Sequence, residues 1–123
     1  MNLLLDTHVL LWWLMNSPRL SGKGRKSIEE AITLHVSAAS AWEIEVKRLR
    51  GLEAPEDLPA ALRESGIQAL NITISHAVAS ARLPGHHHDP FDRILLAQAA
   101  AENLVLCTAD EMLARYEVPV LLV

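Results

Sequence analysis

Residues 2–15 read NLLLDTHVLLWWLM: three consecutive leucines, a carboxylate, and then a second apolar stretch. Apolar residues at successive positions leave no polar face, so residues 2–5 fit a strand buried on both sides. Asp6 ends that run, Thr7 is placed as the cap of a helix, and residues 8–15 have helical character. A strand followed at once by a helix is the unit of parallel sheets, because parallel neighbours need a crossover between them. The unit recurs down the chain. After an amphipathic stretch at 21–33, residues 34–36 form a second brief strand before a helix over 38–50. In that helix Trp42, Val46 and Leu49 have the spacing of a buried stripe, and Gly51 is the stop. A helix at 58–64 ends at Gly66, a third strand covers 68–72, and Ser75 caps a short helix to about residue 83. Asp89 and Pro90 have the identities of an N-cap and first helical residue for a helix to Glu102. Residues 104–107 and 119–123 supply the fourth and fifth strands, with a helix over 109–116 between them. The expected class is α/β, a parallel sheet covered on both faces, in one domain over 1–123.

Composition agrees with a folded domain. Half of the 123 residues are apolar and 21% are charged, the balance of a globular chain and not of a disordered one. Cys107 has no second cysteine to pair with, which points to a reducing, cytoplasmic setting. The apolar amino end is interrupted by Asp6, Thr7 and His8, has no basic residue before it, and is too short to span a bilayer. Neither a secretory signal nor a membrane span is expected. With 11 basic against 15 acidic residues the net charge is −4, which excludes a grip on nucleic acid through a broad basic surface. Two local basic clusters remain, one at Arg19, Lys23, Arg25 and Lys26, the other at Lys47, Arg48 and Arg50.

The carboxylates carry the chemistry. Asp6 follows the first strand, Glu43 lies in the helix after the second, Asp92 is in the first turn of the helix before the fourth strand, and Asp110 follows that strand. In an open parallel sheet ligands bind beyond the carboxyl ends of the strands, and these positions are compatible with one shared edge. Each acid has a plainer explanation. Ser40 with Glu43, and Thr108 with Glu111, have the spacing of capping boxes, and an N-cap is sufficient work for Asp89. Asp6 is harder to explain away, since a carboxylate directly after three leucines stands at the border of the core, where desolvation is costly. Gathered acids repel one another unless a cation or shared proton intervenes, and Mg²⁺ or Mn²⁺ takes oxygen ligands and activates water against a phosphodiester. No serine, cysteine or histidine is arranged as a nucleophile with a base, and the run His86, His87, His88 lacks the partner pattern of a zinc site.

The segments LLLDTHVLLWWL, SAASAWEIEVKRLRGL, LPGHHHDPFDRILLAQA and LVLCTADEML, in that order, resemble the successive motifs of PIN-domain ribonucleases, specifically VapC-type toxins of bacterial toxin-antitoxin pairs. The resemblance spans nearly the whole chain. It implies a three-layer α/β/α sandwich and a Mg²⁺- or Mn²⁺-dependent endoribonuclease that hydrolyses RNA and is blocked by a VapB-type antitoxin. Carried onto this sequence, the metal-holding catalytic acids are Asp6, Glu43, Asp92 and Asp110, with Asp89 as an additional acid. Thr7, Ser40, Lys47, His87, Arg93 and Thr108 are the supporting residues. Arg93 is read as an ion pair orienting the acids, with phosphate contact as its competing role, and His87 as a contact to phosphate or to Asp89. A receiver domain of similar size is disfavoured: Thr73 and Ile74 follow the third strand where its phosphoacceptor Asp belongs, and no lysine follows the fifth. A catalytically inactive PIN fold serving as an RNA-binding or interaction module is the alternative. Leu10 to Leu14 cannot all face one core from one helix, so apolar surface is expected there for a homodimer partner or an antitoxin helix.

Overall fold

The three leucines fall in a strand, β1 (Asn2–Leu5), flanked on both sides by parallel partners, β2 (Thr33–Ser37) and β4 (Val105–Thr108). The computed structural model describes all 123 residues. Alternate side chains of a strand point to opposite faces, and β1 uses both: Leu3 and Leu5 enter one buried cluster with Val9, Leu10 and Ile44, while Leu4 enters a second with Leu95, Leu96 and Leu106. Two cores, one on each side of the sheet, make the three layers. β3 (Gln68–Leu70) extends the sheet beyond β2 and β5 (Val120–Leu122) beyond β4, giving the all-parallel order β3-β2-β1-β4-β5.

Six helices cover this sheet: α1 (Thr7–Leu14), α2 (Gly22–Glu29), α3 (Ala38–Arg48), α4 (Leu58–Glu64), α5 (Ile74–Ala81) and α6 (Pro90–Ala101). The chain runs outward from β1 through β2 to β3 and then returns to the other side of β1 as β4. The carboxyl ends of β1 and β4 therefore flank the switch point of the sheet, where a crevice opens between connections leaving in opposite directions. Gly51 and Gly66, past the ends of α3 and α4, have φ of +93° and +67°, a region where a side chain is disfavoured. None of the helices is long and apolar enough to cross a membrane.

Several local expectations are corrected. Asp6, not Thr7, caps α1, accepting from the Val9 N–H at 2.8 Å, because the Thr7 hydroxyl is turned inward to α3. Thr73, not Ser75, caps α5 in a reciprocal box with His76. The connection between β4 and β5 holds a 3₁₀ turn, Glu111–Arg115, capped by Asp110, in place of the expected helix over 109–116. Most informative is α3: Trp42 and Leu49 are 63% and 89% exposed, and the buried face is Ala39, Ser40, Glu43 and Ile44. That face packs on α1 and α6, so a polar pair is buried in preference to the tryptophan, which lies edge-on to Phe91 instead. On α1, Leu10 and Leu11 are buried and Trp12, Trp13 and Leu14 pack partly against the core; the exposed apolar side chains include Ile32, Trp42 and Leu49, and Ile74 and Val78 on α5.

Because Leu4 alone joins β1 to the α6 face of the sheet, Leu4→Ala is expected to lower the unfolding free energy by about 3 kcal/mol in urea titrations. A loss under about 1 kcal/mol would mean that the second core is not closed on β1.

Candidate active site at the carboxyl edge of the sheet

The site starts from the register. Leu5 pairs with Cys107 across β1 and β4, which sets Asp6 level with Thr108, and the Asp6 N–H donates to the Cys107 carbonyl at 3.0 Å. The Thr108 hydroxyl donates to Asp6 Oδ2 and accepts from the Asp110 N–H at 3.1 Å. One threonine thus ties the first acid to the backbone of the last. Asp6 is only 5% exposed; burial raises its pKa, the hydrogen bonds from Thr108 and Val9 oppose that, and the charge of Asp110 adds to it.

Asp92 enters from the other side, in the first turn of α6, where the helix dipole favours a carboxylate. His87 Nε2 lies 2.8 Å from Asp92 Oδ2 and 4.0 Å from Asp110 Oδ2. Ligand atoms of His87, Asp92 and Asp110 lie within 4.8 Å of one another. Burial pushes the Asp92 carboxyl up to about 6, the His87 hydrogen bond opposing this and the charges of Asp89 and Asp6 reinforcing it. Asp89 itself caps α6 through the Phe91 N–H at 2.9 Å.

Glu43 stands apart from that convergence. It is 3% exposed, and both oxygens are engaged: Oε1 by the Thr7 hydroxyl at 2.6 Å and Oε2 by Lys47 Nζ at 2.6 Å. Thr7 has one proton to give, and the carboxylate is the stronger acceptor, so Ser40, 3.0 Å away, donates to Thr7 in turn. The expected four acids therefore divide into Asp92 and Asp110 facing His87, Asp6 joined to the Asp110 backbone by two hydrogen bonds through Thr108, and Glu43 linked to Asp6 through its neighbour Thr7 and held by Lys47.

Arg93 is not an ion pair with any acid. Its guanidinium donates to the carbonyls of Ser80, Leu83, Pro84 and His87 at 2.7–3.0 Å, and Tyr116 adds a hydroxyl that accepts from the His87 N–H and donates to the Pro84 carbonyl, both at 2.9 Å. Together they fix the loop that aims His87 at Asp92 rather than Asp89. Carbonyl acceptors are distributed along every chain, so no residue pattern marks such a clamp, and Tyr116 has no signal in the sequence. A cavity of about 240 Å³ beside Asp6 and Asp110 is also lined by His8, Trp12 and Arg19.

The PIN domain profile matches residues 3–119. The chain belongs to the PIN-domain family. Within it, the chain is 33% identical to Ribonuclease VapC22 of Mycobacterium tuberculosis over 121 residues, 94% of this chain and 92% of that protein. Its fold matches VapBC2 of Rickettsia felis bound to a DNA fragment from their promoter, with a TM-score of 0.72, 14% identity and 98% of each chain covered. It also matches DNA-bound VapBC of Salmonella typhimurium, with a TM-score of 0.69, 17% identity and 98% and 97% covered. This PIN domain carries its acids at the switch point of a parallel sheet, with a histidine between two of them.

The sign of the electrostatic penalty is testable. The folded-state pKa of Asp92, about 6, lies above its ordinary 3.8, so between those values the folded protein binds more protons than the unfolded chain. The penalty is absent below about pH 4, grows as pH rises, and is complete above about pH 6. In EDTA, Asp92→Asn is expected to be more stable than the parent by about 1–2 kcal/mol at neutral pH and equal to it near pH 4 in urea titrations. Equal stability at both pH values would remove the claim that Asp92 is held at a cost.

Proposed function

We propose that this chain is a Mg²⁺- or Mn²⁺-dependent endoribonuclease, the toxin of a toxin-antitoxin pair, acting in the cytoplasm. The observation that carries the reading is the convergence of Asp92, Asp110 and His87 beside buried Asp6, in a PIN-domain chain with a ribonuclease relative. The residues fit a divalent ion. Two carboxylate oxygens and an imidazole nitrogen converge within 4.8 Å of one another, a donor set that Mg²⁺ or Mn²⁺ would accept. Asp6, Asp92 and Asp110 are the inner acids of the proposed site, His87 a nitrogen donor, and Glu43 and Asp89 the outer acids. When bound, the cation neutralises the acids and the phosphodiester and makes a water nucleophilic near neutral pH.

The protein's own residues do the rest. Thr108 holds Asp6 and Asp110 at a fixed separation, and second-layer hydrogen bonds of this kind orient ligands. Thr7, Ser40 and Lys47 hold Glu43 in one orientation on the buried face of α3. Arg93 and Tyr116 hold the loop of His87. A VapB-type antitoxin and a second copy of the chain are the proposed partners, supported by the VapBC complexes among the structural relatives and by the exposed apolar residues Trp42, Ile74 and Val78.

Incubation with structured RNA should give products in Mn²⁺ or Mg²⁺ and none in EDTA. Asp6→Asn and Asp92→Asn are expected to lose cleavage altogether, and Glu43→Gln to lose about 10- to 100-fold, with folding retained by circular dichroism. Full activity in EDTA, or in either Asn variant, would overturn the assignment; absence of cleavage with every RNA and metal would favour an inactive binding module.

A further inference from the structure

The cavity beside the acids has a second wall that the proposed chemistry does not use. Of its lining residues Asp6 and Asp110 are acids, while Arg19 and His8 are basic and Trp12 is aromatic. Arg19 lies on the face of Trp12, its guanidinium carbon 5.3 Å from the ring centroid, and the His8 ring is tilted against the same indole at 6.1 Å. Arg19 shares this cavity with two carboxylates and pairs with neither. Arg19 makes no ion pair: the salt bridges of the chain involve Lys47, Arg48, His76 and His87, and its only hydrogen bond is from its backbone N–H to Ser17. Stacking on an indole holds a guanidinium by its face and leaves the edge donors free. A larger cavity of about 500 Å³ continues from the same three side chains, His8, Trp12 and Arg19, past Ser17 to Leu52.

We propose that Trp12 and Arg19 form a nucleotide subsite, in which Arg19 holds the phosphate of the nucleotide next to the one cut and the adjoining cavity receives its sugar and base. The inference rests on the nuclease reading and deepens it by assigning where the RNA strand leaves the acids. A free guanidinium fork matches two phosphate oxygens, and the indole of Trp12 holds that fork in place from its face. An otherwise acidic chain thus grips its substrate at one point rather than along a basic face, and the site recognises strand geometry more than sequence.

The test uses the full chain and a fluorescent 12-nucleotide single-stranded RNA in Mn²⁺. Arg19→Gln is expected to raise KM about tenfold with kcat within about twofold of the parent, and to flatten the dependence of log kcat/KM on log salt by about 0.7, the share of one phosphate contact. Arg19→Lys should keep the salt slope and recover only part of KM, because a point charge replaces the fork. With Ca²⁺ in place of Mn²⁺, the same RNA should quench tryptophan fluorescence in the parent and much less in Trp12→Phe, in which Trp13 and Trp42 remain. Metal-dependent cleavage by the parent with an unchanged KM and salt slope in Arg19→Gln would overturn the subsite and leave the nuclease reading standing. No metal-dependent cleavage by the parent would overturn both.

Discussion

The hydrogen bond from Thr108 to Asp6 joins the residue that closes β4 to the one that follows β1, and the site is organised about it. It exists because the sheet is parallel and in register at Leu5 and Cys107, so two carboxyl ends finish level at the switch point. It fixes the orientation of a buried carboxylate, and through the Asp110 N–H it carries that orientation to the second acid. Shifting the register by one residue would turn Leu4 out of the core below α6 and move Thr108 away from Asp6 in the same step. Fold and site are therefore specified by the same pairing.

Around that bond the chain separates its acids by the way each is compensated. Glu43 is buried with a lysine and a hydroxyl and needs nothing further. Asp89 and Asp110 cap their helical turns, so one oxygen of each serves a backbone N–H. Asp92 is the least compensated, and its carboxyl is pushed up to about 6 by burial and by neighbouring acids. Its one partner is a histidine presented by a loop that Arg93 and Tyr116 hold through backbone groups. The charge deficit is concentrated at a single face of the crevice, which is where a cation gains most by binding.

Much of this is legible in the residues. Three leucines before Asp6 mark a doubly buried strand, Asp89-Pro90 marks the start of α6, and the alternation of short apolar runs with helices marks the parallel sheet. The stripe Trp42, Val46, Leu49 misleads because periodicity finds an apolar face but cannot know that the neighbouring helices offer partners to Glu43 and Ser40, which bury the polar face instead. Closeness in sequence links His87 to Asp89; its aim at Asp92 is set by carbonyl contacts to Arg93 that leave no mark on composition. Arg19 and Trp12 each look ordinary in the sequence, one in a basic cluster and one in an apolar helix, and only their stacking beside Asp6 and Asp110 distinguishes them.

If the crevice between β1 and β4 gathers its acids around a divalent cation, manganese will occupy it. Crystals soaked in MnCl₂ and measured at the manganese absorption edge locate the ion without reference to activity. An anomalous peak is expected in bonding contact with carboxylate oxygens of Asp92 and Asp110 and with His87, adjoining Asp6. No peak in that crevice at saturating Mn²⁺, or a peak held by other residues, would refute a metal centre there.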